Sequence, residues 1–368
     1  ADASRTRRST SGTAAVHGIG VDAGWDLDAN GAIGNAVDAA AGRVRRSEHA
    51  RGSLGAALLV ELADRYFQAL SAQDRLVIAR ANIANAESLL QLLVLRRQAG
   101  AVASLEVVRQ EGLLATQRAG IAPLEQQYRT ALAALAVLTG RAPQGFALQA
   151  TSLGDVRLPT LATAPPAILL ERHPDIQQVE ADLAVAHAEL SAARAALLPQ
   201  LRLSATAGLE STTLAGLFNG ATLVGSLGAG LIAPLLDGGR LRAQVSLAQA
   251  RENEVTSLYR QAILSALRDV EDRLTALRAL AAQGAQLQQV VDLARSALQM
   301  ADLRYRNGAT DYATVLDAQR VLLAAQDSQA VTQLARYSQT LGLVRALGGG
   351  VPAAAPVAAL QTLSGATP

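Results

Sequence analysis

Residues 199–241 decide the fold, and they read PQLRLSATAGLESTTLAGLFNGATLVGSLGAGLIAPLLDGGRL. Over 199–210 apolar residues alternate with polar ones, and a similar period of two, with more glycine, follows over 223–232. Residues 17–28 repeat the alternation, with isoleucine, valine and tryptophan set against glycine and aspartate. Alternation over about ten residues is the pattern of strands in a transmembrane β-barrel. The sequence therefore predicts three such strands, and residues 1–10 form a fourth candidate with poorer alternation.

A competing interpretation concerns the uncharged run 211–236, which is long enough for a transmembrane helix. The dipeptide Asn219-Gly220 within it is a typical turn signal. Helix-weakening residues also interrupt the run, at Gly216, Gly220, Gly225, Gly228, Gly230 and Pro234. Because glycine and proline disfavour a continuous helix, the sequence favours two strands joined by a turn.

Long helical patterns occupy most of the remaining chain. Apolar residues recur at helical spacing over 34–97, 104–138, 166–198, 240–305 and 312–347. The fourth pattern covers about 66 residues, which corresponds to a helix on the order of 100 Å long. Unbroken helices of this length are typical of coiled coils and helical barrels.

The chain also contains an internal duplication. A shift of 208 residues superimposes segment 20–140 on segment 228–348 without a gap. Three pairs of glycines then coincide: Gly31 with Gly239, Gly100 with Gly308, and Gly140 with Gly348. Such glycines end helices or reverse the chain, so chance matching between two Ala/Leu-rich helices does not explain their coincidence. Each repeat is predicted to be a strand, a sharp turn, a long helix, a tight reversal and a returning helix.

This duplication predicts the domain organisation. We expect a first, incomplete repeat at 1–140, a connector at 141–165, a second repeat at 166–348 and a disordered tail at 349–368. The second repeat opens with a helix and a strand that have no counterpart in the first. We therefore expect the start of the first repeat to be missing, together with a signal sequence and any lipidated cysteine.

Composition excludes several classes of protein. The chain has no cysteine, and its 33 basic residues are all arginine, against 31 acids. Without cysteine there is no disulfide scaffold or thiol enzyme, and without lysine there is no P-loop or Schiff-base enzyme. The alternating charges argue against a nucleic-acid partner, and the four histidines lack metal-ligand spacing. We expect no enzymatic activity, no cofactor and no metal site.

Four segments carry a family resemblance. Leu170–Ile176 opens the second repeat, and Trp25–Gly31 and Pro234–Leu241 are the two strand-to-helix junctions. The fourth segment, Arg304–Arg320, covers the helical reversal of the second repeat and the start of the returning helix. On these segments the chain resembles the TolC-like outer-membrane efflux family. Within that family it is most similar to the lipoprotein (NodT-like) branch that serves RND-type pumps, truncated at the N-terminus. His173 departs from the branch, which usually has a second arginine there.

The resemblance implies a fold that is mainly α-helical with transmembrane β-strands. It implies a homotrimer whose chains share a twelve-stranded barrel in outer-membrane lipid, with a long helical barrel in the periplasm. The function implied is a passive exit duct for drugs or other small molecules, supplied by a periplasmic adaptor and an inner-membrane RND-type pump. Two alternatives within the family are type I secretion and metal efflux, and one outside it is a soluble coiled-coil scaffold.

The same resemblance implies two kinds of functional residue. Asp317 matches an acidic ring that constricts the inner end of such channels, and Ala313 matches the apolar layer one turn earlier. Three copies of an acidic side chain around a three-fold axis repel one another and bind cations. The alternative for Asp317 is an ordinary solvated position on a helix. The predicted adaptor-contact residues lie at the two hairpin tips: Gly100, Ala101 and Ser104 at the first, and Gly308, Ala309, Thr310 and Asp311 at the second.

Overall fold

A computed structural model describes residues 16–149, 152–158, 173–219 and 221–349. The strands and helices follow the order that the sequence predicts. In chain order they are β1 (His17–Leu27), α1 (Ala32–Gln98), α2 (Ser104–Ala119), α3 (Ile121–Leu138), α4 (Pro174–Ala195), β2 (Gln200–Ser211), β3 (Thr222–Ile232), α5 (Arg240–Arg306) and α6 (Tyr312–Ala346). The strand predicted at 1–10, most of the tail and the start of the Leu170–Ile176 segment lie outside the described residues.

The structure confirms one choice between alternatives and corrects one predicted element. The transmembrane helix considered for 211–236 does not form, because β3 and a short 3-10 turn at Ala215–Leu217 occupy that stretch. The single helix expected over 104–138 is two helices that meet at Gly120. Pro123 explains the break, because proline has no N–H to bond the carbonyl four residues earlier and its ring crowds that carbonyl.

The internal repeat is confirmed by the helix bounds. A shift of 208 residues carries Ala32 and Gln98, the ends of α1, onto Arg240 and Arg306, the ends of α5. The same shift carries the start of α2 and the end of α3 onto the start and end of α6. The paired glycines share a left-handed backbone, with φ of 75° and 84° at Gly31 and Gly239, 72° and 68° at Gly100 and Gly308, and 71° and 88° at Gly140 and Gly348.

The chain divides into two compact units, Ala1–Ala50 with Asp175–Ala262, and Arg51–Pro174 with Ile263–Pro368. Each unit contains parts of both predicted repeats. In the first unit, β1, β2 and β3 form an antiparallel sheet in that order, so β2 is central.

The register of the sheet separates its two faces. Leu209 pairs with Ile19 on one side and with Leu223 on the other, and this apolar character continues along the same face. That face is open to solvent in the single chain, with Leu223 77% and Leu227 87% exposed. An apolar face of this extent marks a surface that lipid or protein covers.

The opposite face of the sheet is polar. Asp22, Thr206 and Ser226 lie in one row across the three strands, and the hydroxyls of the last two are 2.8 Å apart. Arg202 approaches Asp26 to 3.5 Å on the same face. One apolar and one polar face is the alternation of a membrane barrel, with lipid outside and water inside.

The helices of the first unit pack closely through small residues. A Cβ atom added at Gly42 of α1 would lie only 2.7 Å from Cγ2 of Val185 on α4, so only glycine allows this approach. Ala39 is buried beside the same valine. An ion pair of 2.8 Å between Arg46 and Asp182 also joins α1 to α4.

An aspartate caps each strand-to-helix junction of the first unit. Asp28 accepts hydrogen bonds from the backbone N–H groups of Gly34 at 2.6 Å and Ile33 at 2.9 Å. Asp237 accepts one from the N–H of Leu241 at 2.8 Å. These backbone donors lower the pKa of both carboxyl groups, chiefly through Gly34 and Leu241, because they stabilise the ionised form.

The second unit has its core around two aromatic rings. Phe67 of α1 and Tyr337 of α6 meet edge to face with centroids 5.1 Å apart. Leu70 and Leu153 are buried in the same cluster. The Tyr337 hydroxyl donates a 2.7 Å hydrogen bond to the carbonyl of Val156, which fastens the connector to the helices.

Within residues 16–349, leaving aside the gaps at 150–151, 159–172 and 220, no helix has both the length and the apolar character required to cross a bilayer.

Candidate functional site

Both helical reversals of the second unit are built in the same way. At the first, Gly100 has a φ of 72° and the N–H of Ala101 bonds the carbonyl of Arg96 at 2.8 Å. At the second, Gly308 has a φ of 68° and Ala309 makes the corresponding 2.8 Å bond. A left-handed glycine followed by this bond is a common way to end a helix, because it satisfies carbonyls that the helix leaves free.

The second reversal has a further restraint at the start of α6. The Asp311 carboxylate accepts hydrogen bonds from Thr314, at 2.7 Å from its hydroxyl and 3.2 Å from its backbone N–H. The bond from the Thr314 side chain is the main cause that lowers the pKa of Asp311, followed by the backbone bond. The first reversal lacks this cap, because Ala103 occupies the equivalent position before Ser104.

Two tyrosines fasten the second reversal to α2. The hydroxyl of Tyr305, at the end of α5, donates a 2.6 Å hydrogen bond to Oε2 of Glu106. The hydroxyl of Tyr312, at the start of α6, donates a 2.6 Å hydrogen bond to Oε1 of Gln110. Residues four apart share one face of a helix, so both acceptors project from the same side of α2.

The surroundings keep both phenols protonated. Burial raises the pKa of Tyr305 to about 12, and the hydrogen bond to the negative Glu106 acts in the same direction. The Arg96 guanidinium lies 5.6 Å from the centroid of this ring. Burial, followed by the nearby Tyr305, also raises the pKa of Tyr312. Both hydroxyls therefore stay hydrogen-bond donors throughout the neutral range.

Gln110 lies at the centre of this network. Its side chain is fully buried, and its Nε2 donates a 2.9 Å hydrogen bond to the carbonyl of Ala86 on α1. Its Oε1 accepts the hydrogen bond from the Tyr312 hydroxyl. An apolar cluster surrounds the network and includes Leu93, Val107, Leu113, Val315 and Leu316.

Asp317 and Ala313, the residues predicted for the gate, occupy a different face of α6. They line an open groove between α2 and α6, together with Arg109 and Arg320. The Asp317 side chain is 76% exposed, and its nearest cation is Arg320, at 3.8 Å. The geometry brings Ala313 and Asp317 to one surface, one helical turn apart.

Sequence reasoning found the reversals and missed the residues that join them. The sequence patterns assign no contact to Tyr305, Glu106, Tyr312 or Gln110. A signal was present, since the chain has only six tyrosines and two of them flank Gly308 seven residues apart. Their partners lie about two hundred residues away, and no local pattern indicates which side chains meet.

The sheet has an exposed apolar face, and capped junctions join it to two 67-residue helices that each end at a glycine reversal. This combination defines a class of protein: an outer-membrane channel with helices in the periplasm. A family model described as "Outer membrane efflux protein" matches residues 1–141 and 166–349. The chain belongs to this family.

Named relatives agree with this assignment. The pyoverdine export outer membrane protein OpmQ of Pseudomonas putida is 38% identical over 355 residues, covering 96% of this chain and 74% of OpmQ. The cation efflux system protein CusC of Escherichia coli is 30% identical, covering 92% of this chain and 74% of CusC. The crystal structure of a membrane protein from Pseudomonas aeruginosa superimposes with a TM-score of 0.88 at 31% identity, covering 95% of this chain and 80% of that one.

These findings confirm four predictions: the TolC-like resemblance, the mainly helical fold with a β part, the outer-membrane location and the function as an efflux exit channel. The alternative of a soluble coiled-coil scaffold is wrong, because the family consists of outer-membrane efflux proteins.

Proposed function

We propose that the protein is a homotrimer that forms the exit duct of a tripartite pump. A periplasmic adaptor and an inner-membrane RND-type pump load the duct, and molecules leave passively, without bond chemistry in this protein. The observation that carries the proposal is the sheet, whose apolar face is exposed and whose outer strands, β1 and β3, have one unpaired edge each among the described residues. Open edges are not stable in lipid, so copies of the chain would close a common barrel.

The gate of the proposed duct lies at the periplasmic inner end. Three copies of Asp317 would form an acidic ring with Ala313 as the apolar layer beside it. The exposure of Asp317 supports this role, because its only ion pair among the described residues is a 3.8 Å contact with Arg320, which is itself exposed, and the carboxylate can still face a pore. The bonds from Tyr305 to Glu106 and from Tyr312 to Gln110 would hold the second hairpin in the closed position.

The hairpin tips are the proposed contact with the adaptor. Backbone bonds and glycine conformations give both tips a defined shape without covering them. Most of the tip residues are exposed, as a docking surface requires. The residues assigned to this contact are Gly100, Ala101, Ser104, Gly308, Ala309, Thr310 and Asp311.

For the exported molecule, the 38% identity to the pyoverdine export protein OpmQ favours a compound similar to pyoverdine. A second candidate is a metal cation, which the 30% identity to the cation efflux protein CusC supports. The two candidates predict different phenotypes, since loss of an exporter of pyoverdine-like compounds keeps those compounds inside the cell, whereas loss of a cation exporter lowers tolerance of the metal.

The experiment compares cells with and without the full-length protein. Two measurements separate these substrates: the amount of pyoverdine-like compound in the medium, measured by absorbance, and growth in graded concentrations of metal cations. Purified protein is then cross-linked in detergent and reconstituted in planar bilayers. Trimers with single-channel conductance support the duct, whereas a monomer that stays soluble without detergent and conducts nothing would contradict it.

A further inference from the structure

We propose that Gln110 is the positioning residue of the gate. Its buried carboxamide fixes the position of the first turn of α6, and this turn then positions Ala313 and Asp317 in the pore. The proposal rests on the duct function above and adds a buried residue on which closure depends.

Gln110 joins three helices by two hydrogen bonds. Its Nε2 donates to the carbonyl of Ala86 on α1 at 2.9 Å, and its Oε1 accepts from Tyr312 on α6 at 2.6 Å. Gln110 is 0% exposed, Ala86 and Tyr312 each 2%. No water competes at this depth, so each lost bond leaves a polar atom without a partner.

The amide has only one useful orientation. The carbonyl of Ala86 can only accept, so it must face the NH₂ group of Gln110. The oxygen of Gln110 then faces Tyr312, whose phenol must be the donor. Because rotating the amide would break both bonds, Gln110 fixes a position and a direction, which an apolar contact of the same size would not.

Tyr312 transmits this position to the gate. It is the first residue of α6, directly before Ala313 and five residues before Asp317. A rigid first turn carries its placement to the next turn, so a displaced Tyr312 would displace both pore residues. The link between Tyr305 and Glu106 is less enclosed, because Glu106 is only partly buried.

The opposing explanation is that this network only adds stability. Tyr337 offers a matched control on the same helix: the residue is also buried, and its hydroxyl donates a 2.7 Å hydrogen bond to the carbonyl of the partly buried Val156. Tyr337→Phe removes the same chemical group as Tyr312→Phe, but 25 residues further along α6.

The experiment uses the full-length protein in planar bilayers, with thermal unfolding measured in parallel. We expect Tyr312→Phe and Gln110→Met each to lower Tm and to shift the closed–open equilibrium towards the open form by about tenfold. Tyr337→Phe should lower Tm by a similar amount and leave the equilibrium as in the wild type.

The double variant Gln110→Met with Tyr312→Phe distinguishes a positioning role of the network from a purely stabilising one. It leaves no unpaired side-chain group in the network, so Tm should recover in part. It also lacks the directional bonds, so the channel should remain leaky. A double variant that closes like the wild type, or a Tyr337→Phe variant as leaky as Tyr312→Phe, would overturn the proposal.

Two further measurements distinguish a failure of the positioning role from a failure of the proposed duct function. If Tyr305→Phe and Asp317→Asn change the conductance while the Gln110 and Tyr312 variants do not, the positioning role alone is wrong. If the wild type forms no conducting channel at all, the duct function and the positioning role are both wrong.

Discussion

The hydroxyl of Tyr305 donates a 2.6 Å hydrogen bond to Glu106, although 199 residues separate them in the chain. The bond joins the end of α5, in the second repeat, to the first turn of α2, in the first repeat. Each repeat carries its own glycine reversal, and this contact makes the position of one depend on the other. A movement of the second hairpin away from α2 must therefore break the bond.

Tyr305→Phe should open the channel more easily. The substitution removes only the hydroxyl, so the ring keeps its packing with Tyr312 and about 1 kcal/mol of hydrogen-bond stabilisation is lost. Closed-state conductance in planar bilayers should rise, with little change in the fully open conductance. Tyr259→Phe, on the same helix outside the tip, is the control. Equal conductance in the two variants would mean that the bond plays no part in closure.

The same bond predicts a late step in alkaline titration. Burial and Glu106 raise the pKa of Tyr305 to about 12, above its ordinary value of 10.0. A group whose pKa is raised on folding contributes stability that is complete below its unfolded pKa and is lost as pH rises through the folded pKa. Stability should therefore fall between about pH 10 and 12. Near-ultraviolet absorbance should show a tyrosinate component near pH 12 that Tyr305→Phe removes; an identical curve would contradict the assignment.

How much the sequence predicts depends on whether the signal is local. The alternation over 199–210 lies within one element and matches β2 closely. The helical spacing over 240–305 also lies within one element and matches α5. The break at Gly120 is also local, but the apolar spacing continues across it, and Pro123 is the nearby residue that indicates a break. The bond between Tyr305 and Glu106 could not be predicted, because it depends on the packing of helices far apart in the chain. The roles of Asp317 and Ala313 came from family resemblance and still require a test.

The approach of α1 to α4 predicts opposite effects at two glycines of one helix. Gly42→Ala would place its Cβ 2.7 Å from Val185 and force the helices apart, at a cost of about 1–3 kcal/mol. Gly55→Ala meets nothing within 4 Å and should stabilise α1 by up to about 1 kcal/mol, since alanine is the better helix former. Thermal unfolding in detergent measures both. A Gly42→Ala variant as stable as the wild type would show that this contact is loose.

The caps at the strand-to-helix junctions predict a loss of stability in acid. Backbone donors, chiefly Gly34, lower the pKa of Asp28, so its contribution is present above the unfolded pKa and disappears as pH falls through the lower folded value. Asp28→Ala should therefore lower Tm at neutral pH, and the difference from the wild type should vanish below the folded pKa. Asp38→Ala, at an exposed position on α1, the helix whose start Asp28 caps, is the control. A difference that persists unchanged into strong acid would contradict the capping role.

The charge of Asp317 predicts the ion preference of the channel. Its side chain is 76% exposed, and its ion pair with Arg320, at 3.8 Å, is itself open to solvent, so ions in the pore can still reach the carboxylate. Asp317→Asn should lower the cation-to-anion permeability ratio and weaken block by divalent cations, because three charges leave the ring of a trimer. Arg320→Gln should act in the opposite direction, because it removes the neighbouring positive charge. Reversal potentials under a salt gradient measure both variants. If the two substitutions shift the potential in the same direction, or neither shifts it, Asp317 is an ordinary solvated side chain and the constriction lies elsewhere.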